Sequence, residues 1–168
     1  MDKRILIAYA SKSGTTREIA EAIGKTLSDK GASVCVQPVK AVGSIEEYRA
    51  VVIGSGIRMG HWLPEAEDFV KKNQTRLSQV PTAFFTVHLL HLDNGNVSRA
   101  QRESYTQVVR RILTPRTEVY FSGRLEFARL SIFERWVSKA MKAQEQDLRD
   151  WEKIRAWSEG LCPTLGLS

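Results

Sequence analysis

Long apolar runs are missing from this chain of 168 residues. No stretch approaches the length of a membrane-spanning helix, which excludes a helical integral membrane protein. Cysteine is nearly absent: Cys35 and Cys162 stand far apart, with no CxxC pair. That excludes a disulfide framework and predicts reduced thiols in a cytoplasmic setting, with Cys35 in the core. Histidine is limited to His61, His88 and His91, whose spacing matches no metal site, so no metal is expected. Asp2, Lys3 and Arg4 lead into a short strand, and no signal-peptide core is expected. Two phosphate-binding signatures are also missing. Neither Gly-x4-Gly-Lys-Ser/Thr nor Gly-x-Gly-x-x-Gly occurs, which excludes a nucleoside triphosphatase loop and a dinucleotide fingerprint. Acidic residues fall short of basic ones, leaving a formal charge of +6. Such a balance suits an acidic partner (anionic lipid, nucleic acid or a carboxylate-bearing substrate) and equally suits plain solubility. The basic residues are dispersed and no nucleic-acid motif occurs, so no nucleic-acid role is expected.

What is present is the composition of one globular domain spanning 1–168, with 42% hydrophobic and 26% charged residues. It is organised around Ile5 to Thr16. An apolar run stops at a small, hydroxyl-rich loop, and a helical pattern starts directly behind it. Strand, loop and helix together form an anion site, because free backbone amides and the helix dipole converge there. Ser11, Ser13, Thr15 and Thr16 add hydroxyls, Lys12 adds a cation, and Gly14 lets the backbone approach closely. The alternative is an ordinary strand-to-helix turn with Ser/Thr caps.

Along the chain, Ile5 to Ala10 is expected as a buried strand and Thr15 to Lys30 as a helix ended by Gly31. Ser33 to Val39, with Pro38, is expected at a sheet edge. Ala50 to Ser55, Val80 to Val87 and Glu118 to Ser122 are the remaining strands. Leu63 to Leu77, Arg99 to Leu113 and Asp147 to Leu161 are expected as helices, the last with Trp151, Ile154 and Trp157 inward. Alternating elements predict a doubly wound α/β fold with a five-stranded parallel sheet in the order 2-1-3-4-5. One segment does not fit that plan. Residues 123–146 form an insertion before the last helix, in which Leu130, Phe133, Val137, Ala140 and Met141 share a helical face beside Arg129, Arg135, Lys139 and Lys142. Such a basic helix, 129–142, suits peripheral contact with an anionic membrane; packing against its own core is the alternative.

Two further loops belong at the same sheet edge. After the third strand come Ser55, Gly56, Ile57, Arg58, Met59, Gly60, His61 and Trp62; after the fourth come Val87, His88, Leu89, Leu90 and His91. Gly54, Gly56 and Gly60 would admit a flat ring, Ile57, Met59 and Trp62 would pack on it, and Arg58 and His61 are candidate catalytic or anion-binding groups. The backbone of 87–90 would bond its polar edge.

Ser-Lys-Ser-Gly-Thr-Thr at 11–16 resembles the phosphate loop of flavodoxins. Val51 to His61, Phe69 to Lys72, Thr75 to Leu77 and Pro81 to Val87 are similar to the menaquinone-dependent protoporphyrinogen IX dehydrogenases, which also carry a basic insertion before the last helix. The resemblance implies FMN held by all three loops, electrons taken from a reduced tetrapyrrole, and a quinone acceptor, in heme biosynthesis. Arg58, Arg124, Arg129 and Arg135 would then meet substrate propionates. A flavodoxin-type electron carrier and a non-catalytic anion-binding module remain the alternatives; the basic charge and the extra helix weigh against the carrier.

Overall fold

The computed structural model describes residues 4–167; Asp2 and Lys3, read as flanking the first strand, lie outside them. Strand β1 (Arg4–Ala10) opens the described chain and lies inside the sheet, one strand from its edge. Helix α1 (Thr15–Asp29) follows, then β2 (Val34–Pro38) and β3 (Tyr48–Arg58). The short strand β4 (His61–Trp62) turns back on β3, and helices α2 (Pro64–Lys72) and α3 (Gln74–Leu77) lead to β5 (Thr82–His88). Helices α4 (Asn96–Ser104) and α5 (Gln107–Ile112) precede β6 (Thr117–Ser122). The parallel sheet runs β2-β1-β3-β5-β6, which is the expected 2-1-3-4-5 order once the short β4 is set aside. Pro38 ends the edge strand, where its missing N–H costs nothing.

Side chains alternate across the sheet into two cores. Leu6, Val51, Ile53 and Phe84 face the layer of α2 and α5. Ile5, Ile7, Val52 and Phe85 face α1 and the last helix, α7 (Trp151–Thr164). Both faces are dry, which explains the near-continuous apolar runs of β1 and β3. Cys35 and Cys162 are both free and half-buried.

Two expected single helices are each split. Asn73 ends α2, its side-chain amide donating to the Phe69 carbonyl at 2.9 Å. Between α4 and α5 the buried Thr106 donates its hydroxyl to Glu118 Oε1 at 2.6 Å, tying the chain to β6. In α7 the inward residues are Ile154, Ser158 and Leu161. Trp157 packs against both Phe85 and Phe121, as expected of an inward residue. Trp151 does not face in: it stays 45% exposed, under the Arg149 guanidinium at 4.7 Å.

The insertion folds as a small closed unit. Strands β7 (Arg124–Leu125) and β8 (Gln146–Asp147) pair antiparallel at its base. Between them lies α6 (Ile132–Ala140), shorter than the 129–142 span expected, and it starts with a reciprocal capping box between Ser131 and Glu134. None of its residues is buried. Ile132, Phe133 and Trp136 stand 87%, 68% and 69% exposed, so the face does not pack on the protein's own core.

Candidate functional site

A cavity of about 680 Å³ opens at the carboxyl ends of β1, β3 and β5, within the size range of small-molecule sites. Its floor is the loop between β1 and α1. Gly14 sits in the left-handed region at φ 90° and caps α1, a conformation that favours glycine. The Gly14 amide is held internally, donating to Ser11 Oγ at 3.0 Å. The amides of Ser13, Thr15 and Thr16 have no protein acceptor among the described residues. They stand at the positive end of α1, beside the Ser13 and Thr15 hydroxyls, which lie 3.4 Å apart.

The second wall is a β-hairpin where a loop was expected. Ile57 pairs with Trp62 and Arg58 with His61, around a turn at Met59 (φ 53°) and Gly60 (φ 79°). Two consecutive positive φ values define the tight hairpin turn, which Gly60 takes freely and Met59 takes under strain. Ile57, Met59 and Gly60 line the cavity, and Met59 is 91% exposed at its rim. Arg58 and His61 are exposed on the opposite face of the hairpin from Ile57 and line no part of the cavity. Trp62 is 1% exposed and packs edge-on to Phe84 at 5.0 Å, its indole N–H donating to Thr86 at 2.9 Å. It is a core residue and offers no face to a flat ring. Ser55 is likewise structural: its hydroxyl donates to the Gly56 carbonyl at 2.7 Å and accepts the Leu63 amide at 3.0 Å.

The glycines here serve packing. A Cβ on Gly54 would lie 1.9 Å from the Phe85 ring, so Gly54 is there for Phe85. A Cβ on Gly56 would meet Thr16 Oγ1 at 3.3 Å, which couples β3 to the anion loop.

Residues 87–91 form the third wall, lining the cavity throughout. His88 is buried, its Nδ1 within 2.7 Å of the Leu90 carbonyl, against Tyr105 and Tyr120. Burial pushes its pKa down, so the ring is neutral at pH 7, and the carbonyl fixes the proton on Nδ1. The fourth wall could not be read from sequence. Gln101 arrives from α4 and Tyr105 from its C-terminal cap, while Arg124, Leu125, Ser138, Met141 and Gln146 come from the insertion. Arg124 was expected near the substrate and Met141 on an apolar helical face, but no local signal sets either against the cavity, because that placement depends on the insertion folding back over the β1–α1 loop. Of the residues expected to hold a cofactor, Gly14, Gly54, Ser55, Arg58, His61 and Trp62 stand outside the cavity wall and the rest line it.

Against this geometry, the model of the flavodoxin domain matches residues 6–150. The chain belongs to the flavodoxin domain family. A protoporphyrinogen IX dehydrogenase (quinone) of Escherichia coli is 30% identical over 164 residues, covering 90% of each chain. The protein of the same name from Leishmania major is 30% identical over 171 residues, covering 92% of this chain and 73% of that one. Among solved structures, a Streptococcus pneumoniae flavodoxin superposes with a TM-score of 0.56 at 17% identity, covering 95% and 97% of the two chains. That likeness bears on the fold alone.

The cofactor of such a domain is FMN, and the residues present fit it. Free amides and hydroxyls meet at a helix N-terminus where a phosphate belongs. A cavity with apolar Ile57, Met59 and Leu90 adjoins it, with room for a ring system. No helix among the described residues is long and apolar enough to cross a membrane.

Proposed function

We propose that this protein is an FMN-dependent protoporphyrinogen IX dehydrogenase, an oxidoreductase that takes electrons from a reduced tetrapyrrole and passes them to a quinone. The observation that carries the reading is the relationship to the E. coli dehydrogenase across 90% of both chains, a span too long to omit the insertion that walls the cavity. When bound, FMN supplies the two-electron redox chemistry. The protein's own part is placement. The β1–α1 loop would hold the phosphate through the amides of Ser13, Thr15 and Thr16. Ile57, Met59 and Leu90 would flank the ring, and the backbone of 87–90 would bond its polar edge. His88, neutral and fixed by the Leu90 carbonyl, keeps positive charge away from that wall of the site.

The substrate is apolar with acidic arms, and the cavity mouth suits it. Met59, Leu90 and Met141 stand exposed there. Arg124 and Arg129 are paired with Glu18, whereas Arg58 has no carboxylate within salt-bridge distance among the described residues. Lys12 lines the cavity, and Arg58 stands exposed on the adjoining hairpin. Arg58 and Lys12 are therefore the better partners for propionates, and Arg58 is proposed for substrate binding in place of catalysis.

The membrane belongs to the same reading. In α6, Ile132, Phe133 and Trp136 are exposed on one face with Arg135 and Lys139 beside it, while Ser138 faces the cavity. A helix that shows lipid one side and the cofactor cavity the other would bring a quinone to the site from a cytoplasmic membrane face.

The test is anaerobic turnover. Purified protein loaded with FMN should form fluorescent protoporphyrin IX from protoporphyrinogen IX when menaquinone is added. No porphyrin, with ready reduction by a flavodoxin reductase, would instead favour an electron carrier. Binding to anionic vesicles should weaken with salt, and Phe133→Ser with Trp136→Ser should abolish it.

A further inference from the structure

The arginines that the insertion and its exit segment send toward the main domain converge on one carboxylate. Glu18, in the first turn of α1, accepts Arg149 Nη1 at 2.7 Å, Arg129 Nη1 at 3.0 Å and Arg124 Nη2 at 3.1 Å. Glu126 takes Arg129 Nε at 3.0 Å, and Asp147 takes Arg149 Nη2 at 2.7 Å. The position of Glu18 demands this company. It stands one turn from the free amides of Ser13, Thr15 and Thr16, where its charge alone would repel a phosphate dianion.

One of the three arginines does more than balance charge. Arg129 Nη1 lies 3.4 Å from where a Cβ on Gly14 would be, so its guanidinium rests against the anion loop. Arg149 is committed elsewhere, 7% exposed beneath Asp147 and stacked on Trp151. Arg124 turns two contacts to Glu18 and offers its carbonyl to the Thr15 hydroxyl at 3.4 Å. Arg129 keeps 35% of its side chain exposed beside the loop.

We propose that Arg129 is a cationic ligand for the phosphate monoester bound at the α1 N-terminus, delivered by the insertion and held in readiness by Glu18. The proposal rests on the reading that the cavity takes FMN. It makes the insertion a determinant of phosphorylated over unphosphorylated flavin, since riboflavin has no dianion for a guanidinium to meet.

The experiment measures dissociation constants of FMN and of riboflavin by quenching of flavin fluorescence. It compares the native protein with Arg129→Gln, Arg129→Lys and Arg149→Gln. Loss of a charged hydrogen bond predicts FMN binding weaker by about tenfold or more in Arg129→Gln. Riboflavin binding should change less than twofold, and Arg129→Lys should recover part of the loss. The salt dependence of FMN binding should flatten in Arg129→Gln. Arg149→Gln, which loosens the insertion without touching Gly14, should not discriminate between the two flavins. Equal weakening of both flavins by Arg129→Gln, or no change in either, would overturn the proposal while leaving the FMN reading in place. A native protein that binds neither flavin overturns both.

Discussion

In the sheet, apolar side chains are shut away from water; in the insertion, similar side chains are held out into it. Ile5, Leu6, Ile7, Val51, Val52, Phe84 and Phe85 are all fully buried. Helix α6 buries nothing, and the insertion that carries it is held to the domain by ion pairs and closed by a two-residue clasp. One region is stable because burial is non-directional and additive. The other depends on a few directional contacts that solvent, salt and acid can each compete for. The contrast predicts that the insertion gives way under milder conditions than the sheet.

The sharpest way to break that contrast is to damage the sheet and watch both regions fall. Phe85→Ala empties a fully buried ring site against Phe121 and Trp157 and should cost about 3–5 kcal/mol in urea unfolding. Gly54→Ala places a methyl inside the Phe85 ring and should cost about 1–3 kcal/mol. Pairing it with Phe85→Leu should give less than the sum of the two, which a double-mutant cycle would show. Additive losses would mean that Gly54 is not there for Phe85.

Acid should separate the regions. Arg149 holds Asp147 down to about 2 from its usual 3.8. Burial raises the pKa of Glu18, but the hydrogen bond from Arg129 and the charges of Arg124, Arg129 and Arg149 outweigh it, leaving Glu18 below its usual value. Both carboxyls have folded-state values below their unfolded ones. Their stabilisation is therefore present above the ordinary carboxylate range and lost as pH falls toward 2. Trp151, stacked under Arg149, should change fluorescence in that window before far-UV dichroism reports loss of the sheet. Coincident changes would show that the insertion and the sheet unfold as one. The smallest effect belongs to Ser131→Ala, which removes the α6 cap. It should speed amide exchange in α6 by an amount corresponding to about 1 kcal/mol and leave global unfolding unmoved.

The elements most legible in sequence were those whose pattern reports local burial. β1, β3 and α1 could be placed because a strand buried on both faces and a one-sided helix leave different periodicities. The helix breaks at Asn73 and Thr106 could not, since each turns on one polar contact, to the Phe69 carbonyl or across the fold to Glu118. Trp62 and His61 looked alike as loop residues near a ring. The hairpin register separates them, sending Trp62 into the core and His61 outward.

From residues alone came the parallel α/β architecture, the strand order, and an anion loop at the first strand-to-helix turn, because each is written in short-range pattern and turn chemistry. Tertiary structure alone decided which glycines serve packing, that Trp62 belongs to the core, and that the insertion turns Arg129 onto the Gly14 loop. Those outcomes depend on segments distant in sequence meeting in space, Gly54 with Phe85 and, farther still, Glu18 with Arg129, and no local periodicity records such a meeting.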